Sequence, residues 1–256
     1  ETGLNRTGLD GRALNGAVKR ILDSPEQVRV EGVCTHYAGA ESVGNHVRIE
    51  HQIAEFDRKI RLLEGRGVPT GLKHTACSAA AINYPETRMD LVRIGIAQYG
   101  FWPTAETRMR FLTGRSSHKR QDPLRRVMAW KSRVMSFKTV RAGEFVGYGM
   151  SHQSARRQRL AAVPVGYHHG FSRSLSNLGY VLVNGGRAPV RGLVNMNMML
   201  VDVTDLDGVR RGSEVVIIGR QGAAEISVAS FADMMNHLNY EVLVRIPSEL
   251  PRVVVS

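Results

Sequence analysis

The chain has 256 residues, 43% of them hydrophobic, and a formal net charge of +12. That length holds one large domain or two ordinary ones, each with its own core, and a content of 23% charged and 6% aromatic residues is globular in character, not disordered. Two cysteines exclude a disulfide scaffold and an all-cysteine zinc site, and no apolar run reaches the roughly 18 residues of a membrane-spanning helix.

The positive surplus is spread along the chain and carried by arginine, only six of the 35 basic residues being lysine. A polybasic tether or a nucleic-acid arm would be a local block, so neither a membrane nor a nucleic acid is expected as a partner. The chain opens at Glu1-Thr2-Gly3-Leu4 with no signal segment, and it reads as the middle of a protein. Cys34 and Cys77 can stay reduced, and a cytoplasmic location is expected.

Asp10 to Leu22 places Ala13, Leu14, Ala17, Val18, Ile21 and Leu22 at helical spacing, with Asp10 as cap and Ser24-Pro25 as stop. Val28 to His36 predicts a strand. Glu41 to Glu64 predicts a long amphipathic helix ended by Gly65 and Gly67. Pro69 to Ala76 predicts a short strand, Ser78 to Asn83 a helical turn, Met89 to Ile94 another strand and Thr104 to Leu112 a short helix. Strands alternating with helices imply parallel pairing through crossovers. About three βα units are visible, too few for a closed eight-stranded barrel. This part is therefore a small open α/β layer or a piece of a barrel.

Polar residues cluster at Ser116 to Pro123, where a boundary between domains 1–121 and 122–256 is expected. Beyond it the apolar runs are short: Arg133 to Val140, Arg159 to Val165, Gly179 to Val183, Val190 to Val203, Glu214 to Ile218, Tyr240 to Ile246 and Arg252 to Val255. Turn residues such as Asn184-Gly185-Gly186 punctuate them, which predicts an antiparallel β domain with one helix at Ser227 to His237. Asn195 to Met199 reads as a core strand with methionine filling gaps.

Several residues are out of place for pure packing. His36 and His74 close predicted strands, and Arg93 interrupts the apolar run Leu91 to Ile96, where it needs an anion or a strong acceptor. Carboxyl ends of parallel strands face the mouth where such enzymes do chemistry. Ser78 and Gly95-Ile96 offer a hydroxyl and backbone amides at helix starts, which suits a phosphate. Val146-Gly147-Tyr148-Gly149 leaves a tyrosine ring uncovered between glycines, able to serve as an acid or base. His168-His169 are poor joint metal ligands, since neighbours on a strand face opposite ways; no metal is expected.

Taken in order, these pieces resemble the pyridoxal-phosphate-dependent alanine racemase family. The stretches carrying the resemblance are Glu1 to Gly8, Thr35-His36, His74 to Ser78, Val92 to Ile96 with Tyr99-Gly100, Val146 to Gly149, Pro164 to Tyr167, Val194 to Met198, Gly219 to Gly222, and Asn239 to Glu241 with Arg245-Ile246. The resemblance implies the carboxy-terminal part of a (β/α)8 barrel that binds pyridoxal 5'-phosphate, followed by an antiparallel β domain. It implies a homodimer with shared active sites that interconverts L- and D-alanine and supplies D-alanine for the cell wall.

By position, Tyr148 resembles the catalytic tyrosine given by the partner subunit, His36 the residue bonded near it and Arg93 the arginine facing the pyridine nitrogen. Arg6 resembles the arginine near the phenolic oxygen. Ser78, Gly95, Ile96 and Tyr240 match the phosphate cradle, with His74 beside the cofactor. Met196 matches a backbone donor to the substrate carboxylate and Tyr167 a tyrosine that narrows the entrance. The family's cofactor lysine has no match among Lys19, Lys59, Lys73, Lys119, Lys131 and Lys138, so the first part of the barrel is expected to lie outside this chain. His168-His169 stand where members carry Ala-Asp, and Asn197 where an aspartate is common. A racemase for another amino acid such as serine, a non-catalytic remnant and a split-enzyme subunit are the alternatives.

Overall fold

The structure, a computed structural model, describes residues 1–114, 121–235 and 238–255. It divides into two compact units, Glu1–Val127 and Met128–Ser256. Most of the polar stretch expected at the boundary lies outside the described residues.

In the first unit Asp10 adopts extended backbone and its carboxylate accepts the Gly11 amide, so helix α1 starts at Gly11 and runs to Asp23. Strand β1 spans Gly32–Cys34, helix α2 His46–Gly65 and strand β2 Leu72–His74. β1 and β2 pair in parallel, Gly32 opposite Leu72 through Cys34 opposite His74, as the alternation of elements implied. Helix α3 spans Ser78–Asn83, and α4 spans Ala105–Thr113, capped by Thr104 Oγ1, which accepts the Thr107 amide at 3.1 Å.

The strand expected at Met89 to Ile94 is corrected: it contracts to one parallel bridge between Cys77 and Arg93. Leu91, Val92 and Ile94 are all exposed, so their alternation buries neither face, and Asp90 uses its carboxylate to take the Lys73 amide at 2.7 Å.

The core of this unit is split into small clusters. Ala76, Ala79, Ala80 and Ala81 gather around Tyr37, Ile49 and Tyr84, while Val18, Leu63 and Val68 form a second small cluster. Phe56, Ile60, Ile96 and Phe101 are also buried, and polar ties add to this apolar packing. Gln52 is buried and bonds both to the Ala38 amide (2.9 Å) and to the Ala38 carbonyl (3.3 Å). Buried Lys59 bonds to Asp10 at 2.9 Å, pairs with Glu55 at 3.4 Å and donates to the Glu1 carbonyl.

The second unit is antiparallel β. Strands β3 (Trp130–Arg133), β4 (Ser136–Val140), β5 (Gln158–Val163), β6 (Tyr180–Val183), β7 (Gly186–Pro189), β8 (Met199–Asp202), β9 (Glu214–Gln221) and β10 (Ala224–Ile226) form two sheets. One runs β10-β9-β6-β7 with β3 also on β9, and the other β4-β5-β8. The bridge Val190–Val201 links the β7 end to β8. Asn184 and Gly185 both have positive φ (50° and 80°), the turn that an Asn-Gly pair favours between twisted strands, and they join β6 to β7. Val181, Leu182, Val183, Val215, Val216 and Ile217 are fully buried, so this sheet is covered on both faces. Each buried branched side chain of this core contributes about 1.5–3 kcal/mol. Phe171 anchors it edge-on to Phe231, with ring centroids 5.5 Å apart.

Helix α5 spans Val228–Met235 and α6 spans Asn239–Val244. The last two residues of the expected helix Ser227 to His237 lie outside the described residues. The expected strand Tyr240 to Ile246 is corrected to α6. Its amides bond locally, with Val242 N–H to the Leu238 carbonyl and Arg245 N–H to the Glu241 carbonyl, and Glu241 reaches back to the Leu238 amide. Arg252 to Val255 form no strand; Val253, Val254 and Val255 are fully solvated, with no partner edge among the described residues. The run Val190 to Val203 is a strand only from Met199. The Asn195 amide bonds to the Met198 carbonyl at 3.0 Å and closes a turn that leaves Met196 55% exposed, in place of the expected core strand.

Candidate active site

In the first unit the carboxyl ends of β1 and β2 meet at Arg93. Its Nη1 donates to the His74 carbonyl (2.8 Å) and to His74 Nδ1 (2.6 Å), and its Nη2 donates to the carbonyls of Thr35 (2.7 Å) and Thr75 (3.0 Å). Four acceptors in one fork suit a guanidinium and no other side chain. Because Nδ1 of His74 accepts, that ring carries its proton on Nε2. Burial, and then the adjacent guanidinium, hold His74 below the ordinary imidazole range. His36 is lowered in the same way, by burial first and then by the charges of Arg93 and Arg6. The Arg6 segment is tied to the end of β1 by a 2.7 Å hydroxyl contact between Thr2 and Thr35. Arg6, His36, His74 and Arg93 are thus one electropositive group in which the imidazoles stay neutral.

Beside them Ser78 starts α3. Its nearly buried hydroxyl oxygen accepts the amides of Gly95 (3.0 Å) and Ala97 (3.5 Å) at the start of a 3-10 turn, Ile96–Tyr99. Two short helix starts are thereby held face to face, and the Ser78 proton is left to donate outward. The place where a side chain on Gly95 would begin is open, with no atom within 4 Å. A neutral hydroxyl donor, helix-start amides and an open approach are what a phosphate needs, so these residues fit the phosphate end of pyridoxal phosphate. The anchored Arg93 fits an acceptor nitrogen.

In the second unit Tyr148 tops a loop whose flanking glycines have positive φ, 72° at Gly147 and 68° at Gly149, and its ring is 74% exposed. A side chain at either glycine would be strained there. The loop is closed by Val146 N–H on the His152 carbonyl (2.9 Å) and by a bridge from Phe145 to Gln153. Tyr167 and Met196 are neighbours: the Tyr167 amide bonds to the Asn195 carbonyl and the His168 amide to the Met196 carbonyl, each at 3.0 Å. Gly166 permits this approach, since a Cβ there would lie 2.1 Å from the Asn195 oxygen.

Tyr240 lies at the start of α6, whose far end packs on this region through Gly170, where a Cβ would meet the Arg245 carbonyl at 2.5 Å. His169 Nδ1 accepts the Gly166 amide at 3.1 Å, and its ring stands edge-on to His168 at 5.3 Å. Burial, then His168, lowers the His169 pKa. The expected site residues therefore form two groups. Arg6, His36, His74, Ser78, Arg93, Gly95 and Ile96 gather in the first unit, and Tyr148, Tyr167, Met196 and Tyr240 belong to the second.

Among the lysines, Lys73 pairs with Glu64 (2.8 Å), which raises its pKa, Lys19 with Asp23, Lys59 with Asp10 and Lys131 with Glu214. Lys119 lies outside the described residues. Sequence reasoning did not find the carbonyls of Thr35, His74 and Thr75 as the partners of Arg93, because backbone acceptors carry no residue signature.

The family profile described as "Alanine racemase, C-terminal domain" matches residues 127–254, and that described as "Alanine racemase, N-terminal domain" matches residues 1–103. The chain belongs to the alanine racemase family. It is 36% identical over 257 residues to the alanine racemase of Leptospira interrogans and 34% identical over 255 to that of Halothermothrix orenii. These alignments cover 100% and 98% of this chain but 64% and 63% of the relatives, so the chain spans a little under two thirds of their length. Among solved structures, the alanine racemase of Bacillus anthracis with bound L-Ala-P superposes with a TM-score of 0.88 at 31% identity, covering 100% of this chain and 63% of that one. That of Bartonella henselae, with covalently bound pyridoxal phosphate, gives 0.76 at 28%, covering 99% and 64%. The alanine racemase fold, barrel plus β domain, is therefore the fold of this chain at that level of description.

Proposed function

We propose that the protein is a pyridoxal-phosphate-dependent alanine racemase. In this reading residues 1–121 are the carboxy-terminal part of its barrel and residues 122–256 its β domain. The observation that carries the reading is the fourfold-bonded Arg93 beside the Ser78–Gly95 cradle, in a chain of this family.

Bound pyridoxal phosphate supplies an electron sink that acidifies the α-proton of an attached amino acid. Ser78 Oγ–H and the Ile96 amide, approached over the open face of Gly95, would hold its phosphate, and Tyr240 is the second unit's candidate for the same group. Arg93 would face the pyridine nitrogen, where a fixed guanidinium would disfavour a second positive charge. Arg6 would lie at the phenolic oxygen, and His36 and His74, with their lowered pKa values, would pack around the ring without adding charge. Met196 N–H takes the substrate carboxylate, and Tyr167 narrows the approach.

Inversion needs a proton group on each face of a planar carbon. The Tyr148 hydroxyl serves one face, supplied across a homodimer. An amine from outside these 256 residues serves the other, a reading supported by the ion pairs that engage Lys19, Lys59, Lys73 and Lys131 and by the place of Lys138 on β4 of the second unit. The product, D-alanine, is made in the cytoplasm for the cell wall.

The test is interconversion of L- and D-alanine by the intact protein with added cofactor, before and after Tyr148→Phe. Loss of a general acid-base group costs about 10²–10⁴-fold. An unaltered protein that binds the cofactor yet leaves both enantiomers untouched, or a phenylalanine variant as fast as the original, overturns this reading. A higher rate on serine than on alanine would redirect it to that substrate.

A further inference from the structure

Beyond the Val146–His152 bond and the Phe145–Gln153 bridge that close its base, the tip of the Tyr148 loop has no packed side chain of its own. Gly147 and Gly149 have no side chains, the Tyr148 and Met150 side chains are exposed, and Met150 itself has positive φ (46°). The further ties on the tip come from elsewhere in the unit. Asn177 Nδ2 donates to the Ser151 carbonyl at 3.0 Å, and Asn177 Oδ1 accepts the Gly192 amide at 2.7 Å. Ser151 ends the Tyr148 loop, and Gly192 opens the segment leading to Met196. Both ends of one amide are thus spent on joining the two.

The join is tight. A Cβ on Gly192 would lie 2.6 Å from the Val146 carbonyl, and Leu193 packs against the loop glycines, with Cδ1 3.5 Å from the Cβ position of Gly149. Next to it, Ser176 Oγ accepts the Val194 amide at 3.0 Å. Asn177 adopts left-handed backbone (φ 59°), a conformation asparagine tolerates better than other non-glycine residues. Its turn is pinned through the Leu178 and Gly179 amides, both bonded to the carbonyl of fully buried Leu175.

We propose that Asn177 is a positioning residue for the reaction. It locks the Tyr148 loop to the segment that presents Met196, so that the proton-transfer group and the carboxylate donor are set as one piece. This rests on the roles given to Tyr148 and Met196 above.

The test uses Asn177→Gly in the intact protein with cofactor. Glycine keeps the left-handed backbone and removes only the amide. We expect kcat/KM for alanine to fall about 10- to 100-fold, the scale of a misplaced reacting group. In the Tyr148→Phe background the same change should cost less than about threefold, because residues acting as a unit are non-additive. Equal losses in both backgrounds would mark a merely structural role, and no loss in either would also overturn the proposal.

A second readout does not depend on activity. Hydrogen exchange at the Gly192 amide should quicken at least about tenfold in Asn177→Gly while exchange in β6 and β9 stays unchanged; unchanged exchange at Gly192 overturns the tie itself. Should the glycine variant fail to fold, Asn177→Asp keeps the Gly192 acceptor and loses the donor to Ser151, and it should still slow the reaction in the Tyr148 background alone. If the unaltered protein binds cofactor but does not racemise alanine, the functional reading and the positioning role fail together, while the exchange measurement still decides whether the tie exists.

Discussion

Gly166→Ala offers a collision whose size is set by the structure. Gly166 has extended backbone (φ −144°, ψ −162°), which any residue adopts, so the substitution carries no conformational penalty. The new Cβ would stand 2.1 Å from the Asn195 oxygen and 2.5 Å from the Met196 oxygen, where ordinary contact begins near 3.4 Å. The Asn195–Met196 segment must therefore retreat by more than about 1 Å. That retreat breaks the two 3.0 Å bonds from the Tyr167 and His168 amides. Each is worth about 1 kcal/mol, and overpacking adds about 1–3 kcal/mol, for a loss of about 3–5 kcal/mol. For a unit of this size that is a fall in Tm of about 10 °C or more. The Met196 amide moves with the segment, so KM for alanine should rise about tenfold or more, with kcat less affected. Thermal unfolding and steady-state kinetics check both. As a control, Gly143→Ala meets nothing within 4 Å and bears only its positive φ (85°), a cost of about 1–2 kcal/mol. A Gly166→Ala protein that melts within about 2 °C of the original and keeps its KM would refute the reasoning.

Gly16, inside α1, also has open space around it, so Gly16→Ala should stabilise the first unit by about 0.5–1 kcal/mol in urea unfolding. Arg93→Lys replaces a fork by a point charge and leaves some of the carbonyls of Thr35, His74 and Thr75 without donors. It should cost the first unit about 3 kcal/mol and weaken cofactor retention, read by urea unfolding and by cofactor fluorescence. His36, His74 and His169 all have folded pKa values below the ordinary 6.5. Below pH 6.5 the unfolded chain therefore binds more protons than the folded one, and stability is full above 6.5 and lost as pH falls toward the lowered values. His74→Asn cannot take up that proton, so the decline below pH 6.5 should be shallower in denaturant titrations.

Much of this fold was legible where the pattern was local. The capping carboxylate of Asp10, the stop at Ser24-Pro25 and the Asn184-Gly185 turn each act through their immediate neighbours, and the elements they bound stand where spacing put them. The failures share a cause. Tyr240 to Ile246, Asn195 to Met198 and Leu91 to Ile94 are all rich in apolar residues, but a strand needs a paired edge, and composition carries no information on whether one is at hand. Asn195 to Met198 turns back on itself because Gly166 lets the Tyr167 and His168 amides claim its carbonyls first. For the candidate site, the residue types in Thr35-His36, His74 to Ser78 and Val92 to Ile96 pointed to a phosphate and a charged partner, and they do gather. What could not be read was that the acceptors for Arg93 are main-chain oxygens, or that one asparagine joins two distant loops.

The parallel pair β1–β2 is only three residues deep, and the next segment adds a single bridge. The forked cation of Arg93 reaches across all three segments at once, standing in for rungs that the ladder lacks. In the proposed function, strut and cofactor contact are then the same group of atoms. Whatever docks on that cation draws on the glue of the sheet beneath it, so occupancy of the site and cohesion of the scaffold cannot vary independently, and drift at this one position is closed off by architecture before chemistry has a say.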